Sequence, residues 1–169
     1  IRTIKYKSRF ISKNENTKLN FVVNSSVNSK LTELMNYHGS DKGGKNNHHN
    51  YSEYYSEIFF HKRKEVKNFL EIGLGTNNVN VASNMGKDGV PLASLRAWRD
   101  YFINANIYGA DIDRDILKNE ERIKTFYVDQ TNPETISILF KEMGVNKFDV
   151  ILEDGLHEYS ANICFFENS

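Results

Sequence analysis

The stretch that most restricts what this chain can fold into is Phe69-Leu70-Glu71-Ile72-Gly73-Leu74-Gly75. A short apolar run closed by two glycines predicts a buried strand entering a turn too sharp for residues that carry a Cβ. Three further apolar runs follow. Residues 107–112 end in acids at Asp111 and Asp113, 125–128 end at Asp129 and Gln130, and 148–152 end at Glu153, Asp154 and Gly155. Between them lie segments of helical spacing. One has Leu95, Trp98, Tyr101 and Phe102 on one face of 94–102; the other starts at Asn132-Pro133-Glu134, carries Ile136, Leu139, Phe140 and Met143, and is stopped by Gly144. Strands alternating with helices, with polar residues gathered at each strand's carboxyl end, predict an open α/β sheet that binds its ligand above those ends.

Composition removes several alternatives. The 169 residues suit one domain, and 22 basic against 22 acidic side chains give no overall attraction to a phosphate backbone or an anionic membrane. The basic start is the one candidate for a local patch. A single Cys164 allows no internal disulfide and no paired thiols for zinc or iron–sulfur, which fits a reducing compartment. No apolar run approaches the about 20 residues of a spanning helix, and residues 1–7 do not read as a signal peptide. The expectation is a cytoplasmic chain with no nucleic-acid or membrane partner, for which a homo-oligomer is allowed. It starts at Ile1 and stops at Ser169, just after the apolar run Ile163 to Phe166, so it reads as a partial chain whose sheet is truncated after strand 4.

Three regions are expected: a basic lead over 1–28, a helical and loop cap over 29–67, and a sheet-bearing core over 68–169. In the cap, Leu31, Leu34 and Met35 predict a helix over 29–37, and Tyr51, Tyr54, Tyr55, Ile58 and Phe59 a second one. The loop between them holds His38, Asp41, His48 and His49. A zinc site there is disfavoured, because adjacent histidines point different ways and no fixed Cys or His pairs flank them. Tyr51, Tyr54 and Tyr55 read as packing residues, Trp98 and Tyr101 as core, and Arg96 and Arg99 as the solvent side of their helix.

The strand ends carry the chemistry. Gly73 and Gly75 let the backbone come close to a ligand, Asp111 is placed to accept from two ribose hydroxyls, and Asp129 or Gln130 can face an adenine edge. Such residues also collect at ordinary turns, so only their combination points to a ligand. The third glycine of a dinucleotide fingerprint is replaced by Asn78, and 77–91 reads as a loop with no helix start to meet a pyrophosphate. No Gly-Lys-Ser or Gly-Lys-Thr follows the first strand either. Glu71-x-Gly73-x-Gly75 with an acid after strand 2 suits an adenosine cofactor with a charged amino-acid end and no phosphates, S-adenosylmethionine.

These runs, with Ser94-Leu95-Arg96-Ala97-Trp98-Arg99-Asp100-Tyr101-Phe102 and Ile107-Tyr108-Gly109-Ala110-Asp111-Ile112-Asp113, resemble a class I S-adenosylmethionine-dependent methyltransferase, with a Rossmann-like fold. Adding Tyr37-His38-Gly39-Ser40-Asp41-Lys42-Gly43 and Glu153-Asp154-Gly155-Leu156-His157, the sequence from about 31 to 166 is similar to the metal-dependent macrolide sugar O-methyltransferases of the mycinamicin and macrocin type. The resemblance implies that Glu71, Gly73 and Gly75 border the methionine part, that Asp111, with Asp113 next in line, holds the ribose, and that Asp129 and Gln130 lie near the adenine. Ser40, Asp41 and Lys42 would help close over cofactor or acceptor. Asp154 would ligate Mg²⁺ and His157 would serve as base, the family's other metal ligands coming from after a fifth strand.

The implied reaction is methyl transfer to a hydroxyl of a sugar or other small polar metabolite in surface-polysaccharide or natural-product assembly. Such a hydroxyl is a poor nucleophile until a base takes its proton and a cation steadies the alkoxide. Two rivals stay open. One is an NAD-dependent oxidoreductase or sugar-nucleotide enzyme; the other is a non-catalytic adenosine-binding module. A base-modifying methyltransferase is weaker, as no Asn-Pro-Pro-Tyr-type sequence follows strand 4.

Overall fold

A computed structural model describes residues 29–45 and 49–169. The basic lead over 1–28 and His48 lie outside them. Two helices come first, α1 (Lys30–His38) and α2 (Tyr51–Phe59), with a short 3-10 turn, Asp41–Gly43, between them. Ser29 caps α1 by accepting the Thr32 N–H at 3.1 Å, and Gly39, at φ 84°, ends it. The alternating part follows: β1 (Asn68–Ile72), α3 (Ala93–Tyr101), β2 (Asn106–Asp111), β3 (Ile123–Tyr127), α4 (Pro133–Met143), β4 (Val150–Glu153) and α5 (Tyr159–Asn168).

The four strands are all parallel, in the order β3-β2-β1-β4. The fold is therefore the Rossmann-like open α/β sheet expected. The chain steps outward from β1 to β2 and β3, then returns to the other side of β1 for β4. That reversal opens a crevice above the carboxyl ends of β1 and β4, where ligands of such sheets bind.

Strand alternation divides the core into two layers. Phe69 and Ile107 face α1 and α3 together with Leu31, Met35, Leu95 and Trp98; Leu70, Ile72, Tyr108 and Ala110 face α4 and α5 with Ile136, Leu139 and Phe165. Trp98 anchors the first layer, its ring 4.8 Å from Phe69, 5.6 Å from Phe102 and 5.6 Å from Tyr55. Leu31 and Met35 belong to that same layer, so the amino-terminal helices share a core with the sheet.

Several local expectations shift. β3 starts at Ile123 rather than at 125, because Ile123 is fully buried and pairs with Ile107, which begins the ladder two residues earlier. β4 starts at Val150 because the Asp149 carboxylate accepts the N–H groups of Lys67 (2.7 Å) and Asn68 (3.0 Å), which keeps Phe148 outside the ladder. Arg96 and Arg99 are only partly exposed and pair with acids rather than solvent. Arg96 Nη2 lies 2.7 Å from Glu120, while Arg99 Nε lies 2.8 Å from Asp100. Among the three tyrosines, Tyr55 packs on Trp98, whereas Tyr51 and Tyr54 are exposed.

Candidate functional site

A cavity of about 830 Å³ lies above the carboxyl ends of the strands, within the roughly 300–1,000 Å³ typical of ligand pockets. Its walls include Ser40, Lys42, Gly73, Gly75, Asp111 and Asp113, and also Asp129, Gln130, Asp154 and His157. Of the residues singled out in the sequence as site residues, only Glu71 is absent from the walls. It is fully buried beneath them.

The glycine turn is held by two acids, one at the end of β2 and one just after it. Asp111 accepts the Leu74 N–H at 2.7 Å on one oxygen and the Asp113 N–H at 2.9 Å on the other. Burial pushes the Asp111 carboxyl above its ordinary range, and these N–H groups oppose the shift. Asp113 accepts from the Thr76 hydroxyl and from the Asp115 N–H at 3.0 Å. Both acids thus brace the turn from below while reaching the cavity. Gly73 has φ 86° and Gly75 φ 73°, and a Cβ at Gly73 would collide with the backbone of Asp154 and Gly155. The first glycine is required by the approach of β4's end to β1's end.

Beyond Gly75, residues 76–90 cross the mouth without a helix. Asn77 Nδ2 donates to Gly86 O at 2.6 Å and Gly89 O at 3.0 Å, and Ser83 Oγ donates to Gly155 O at 2.8 Å. The first helix after the turn is α3, whose amino end comes only at Ala93.

A buried cation occupies the other side. Lys42, from the 3-10 turn, reaches under the strand ends with Nζ 2.6 Å from Asp154 Oδ2, 3.3 Å from Glu71 Oε1 and 3.8 Å from Asp41 Oδ1. The Glu71 contact is an ion pair without hydrogen-bond geometry; the other Glu71 oxygen accepts from Ser94 at 2.8 Å. Burial pulls the Lys42 ammonium down, but Glu71, Asp154 and Asp41 outweigh it and hold it above the ordinary lysine range. Burial pushes Glu71 up to about 7, with Lys42 limiting the rise. Burial likewise raises the nearby Tyr55 hydroxyl, reinforced by Asp154. Lys42 is therefore the counter-ion of Glu71 and Asp154 rather than a cover over the mouth alone.

The turn after β4 carries Asp154 and His157. His157 Nε2 is 3.7 Å from Asp154 Oδ1, its side chain is 60% exposed, and its backbone is left-handed at φ 60°. The Gln130 amide is engaged by the end of β4 and its turn: it donates to Glu153 Oε1 at 3.0 Å and accepts the Leu156 N–H at 2.8 Å. Asp129 accepts from the Thr131 N–H (2.9 Å) and hydroxyl (2.6 Å) on one oxygen. Among the described residues no group of three His, Cys, Asp or Glu could hold a metal. His38 instead pairs with Asp100 at 2.7 Å, and His49 stacks on Tyr51 at 4.7 Å.

With this geometry in place, comparison with known proteins is decisive. No family model matches the chain. Over 127 residues, 75% of its length, it is 32% identical to 8-demethyl-8-alpha-L-rhamnosyl tetracenomycin-C 2'-O-methyltransferase of Streptomyces olivaceus, covering 30% of that protein. It is 30% identical over 132 residues, 78% of its length, to demethylmacrocin O-methyltransferase of Streptomyces fradiae, again covering 30%. Over that stretch the chain is similar to sugar O-methyltransferases of natural-product pathways. It spans about 30% of the length of those curated relatives. Its structure superposes on MycE methyltransferase from the mycinamycin biosynthetic pathway, in complex with Mg, SAH and mycinamycin VI, with TM-score 0.65 and 27% identity over 81% of this chain and 34% of that one.

Sequence reasoning missed Ser94, read as a helix start, and the bracing role of Thr76. Each is a small hydroxyl residue whose partner is distant in sequence, so no local pattern announces it.

Proposed function

We propose that this chain forms the cofactor-binding part of an S-adenosylmethionine-dependent O-methyltransferase acting on a hydroxyl of a sugar or glycosylated small molecule. The observation that carries the reading is the convergence on one cavity of the Gly73–Gly75 turn, Asp111 and the Asp154–His157 turn. The absence of a helix directly after the glycine turn leaves no amino-terminal dipole for a pyrophosphate, which favours a sulfonium cofactor over NAD.

In this reading the glycine turn admits the methionine portion, and Asp111 directs its remaining lone pairs to the ribose, with Asp113 behind it. Asp129 lies toward the adenine. The methyl moves in line from sulfur to the acceptor oxygen as His157 takes the hydroxyl proton. Asp154 stabilises the imidazolium that results, since 3.7 Å is close enough for charge though too long for a hydrogen bond. Mg²⁺, when bound, would stabilise the developing alkoxide. The described residues offer Asp154 for it, a hard oxygen donor of the kind Mg²⁺ takes, with no group of three His, Cys, Asp or Glu around it. Its support comes from the Mg-containing MycE complexes. No helix among the described residues is long and apolar enough to cross a membrane, in keeping with a cytoplasmic enzyme working on small molecules.

Calorimetric titration with S-adenosylhomocysteine beside NAD tests the cofactor. Micromolar binding of the homocysteine compound alone is expected; binding of NAD instead would replace the methyltransferase with the oxidoreductase reading. Asp111→Asn should weaken that binding several-fold while the fold persists, because the amide offers one acceptor oxygen where the carboxylate offers two. Unchanged affinity would move the ribose contact elsewhere.

A further inference from the structure

The turn carrying the proposed base is not self-supporting. His157 holds a left-handed backbone at φ 60° without being glycine, a conformation that persists only where the surroundings impose it. Besides Lys42 at the Asp154 carboxylate, two side chains from outside bond to the turn's backbone. Ser83 Oγ donates to Gly155 O at 2.8 Å, and Gln130 Oε1 accepts the Leu156 N–H at 2.8 Å, one residue before His157.

Gln130 is almost fully buried, and the N–H groups of its amide are spent inside the protein. Nε2 donates to Glu153 Oε1 at 3.0 Å and lies 3.5 Å from Asn162 Oδ1 on α5; the same Glu153 oxygen also accepts the Gly155 N–H at 2.9 Å. Both N–H groups of the amide face protein acceptors, so neither is free for a base edge. Side chain and turn are also packed closely enough that a Cβ on Gly155 would overlap Gln130 Oε1.

We propose that Gln130 and Glu153 act as a positioning pair that fixes the Asp154–His157 turn, and that Gln130 does not read the adenine. This deepens the methyltransferase reading and rests on it: the pair sets where the base stands relative to the acceptor hydroxyl.

The test uses the full chain and two measurements. Amide hydrogen exchange by NMR follows Gly155 and Leu156, with Leu70 and Ile107 as remote reporters. Calorimetry compares S-adenosylhomocysteine with S-inosylhomocysteine, whose 6-oxo base alters the edge an adenine reader would contact. Gln130→Ala should speed exchange at Gly155 and Leu156 by about 10-fold, leave the remote amides alone and keep the adenosine over inosine preference. Gln130→Glu sets two carboxylates against each other and should be worse. The exchanged pair, Gln130→Glu with Glu153→Gln, restores a donor to an acceptor with the direction reversed: residue 153 now donates to residue 130 and still accepts from Gly155, and residue 130 still accepts from Leu156. It should return exchange close to wild type, and it preserves a folded test should Gln130→Ala not fold. Loss of the base preference in Gln130→Ala, or an exchanged pair no better than Gln130→Glu alone, would overturn the proposal. A wild-type chain that binds neither compound would sink the methyltransferase reading and not the pair, which the exchange measurement decides by itself.

Discussion

Lys42→Met is expected to lower stability by about 3–5 kcal/mol in urea unfolding, the loss seen when one partner of a buried ion pair is removed. The ammonium is the cation that offsets two carboxylates, fully buried Glu71 and mostly buried Asp154, and methionine fills the space without replacing the charge. A companion variant, Lys42→Met with Glu71→Gln, should recover much of the loss, because it removes the deeper uncompensated charge. The effect also has a sign in pH. Glu71 is raised from 4.5 to about 7 in the folded chain, so between those values the folded state holds a proton that the unfolded state has released. Its contribution therefore weakens stability as pH rises through that window. Without Lys42 the folded value climbs further, and the deficit of Lys42→Met should widen as pH rises above about 7. A single variant within 1 kcal/mol of wild type, with no pH trend, would show that the ion pairs do not hold this corner together.

Gly73→Ala should be the other severe change. Its φ of 86° costs an alanine roughly 1–2 kcal/mol, and the added methyl meets Asp154 C and Gly155 Cα at 2.6 Å, backbone that cannot swing aside. Overpacking of this kind adds about 1–3 kcal/mol. The methyl would force β1's end from β4's end, so S-adenosylhomocysteine affinity should fall with stability. Gly144→Ala is the comparison: it too has positive φ, at 63°, but nothing lies within 4 Å of the added Cβ. If both variants lose the same stability, backbone conformation alone accounts for Gly73, and the close approach of the two strand ends contributes nothing.

The sheet was legible because its signals are local. Each strand is an apolar run interrupted by glycine or acid where it reaches the cavity, and α4 has its cap, its Pro133 and its Gly144 in plain view. What escaped was the destination of side chains. Lys42 sits in a polar glycine-rich loop and looks like a surface residue, yet its partners Glu71 and Asp154 come from β1 and from the turn after β4. Gln130 occupies a position suited to an adenine contact, but adjacency to a strand end does not disclose a rotamer, and its amide turns toward Glu153. Arg96 and Arg99 follow the polar side of a helix correctly; that Glu120 would lie against them depends on the turn Glu120–Ile123 folding back beside α3.

The reach of Lys42 also bears on the order in which the chain can fold. The amino-terminal helices can form as soon as they exist, but the ammonium has no complete set of partners until β4 and its turn have docked beside β1. Joining residues so far apart in sequence carries a loop-closure cost that local helices do not incur. The Lys42 corner should therefore lock late, after the two layers have begun to pack. During synthesis the first helices would wait, undocked at that corner, until the carboxyl end of the described sheet has emerged.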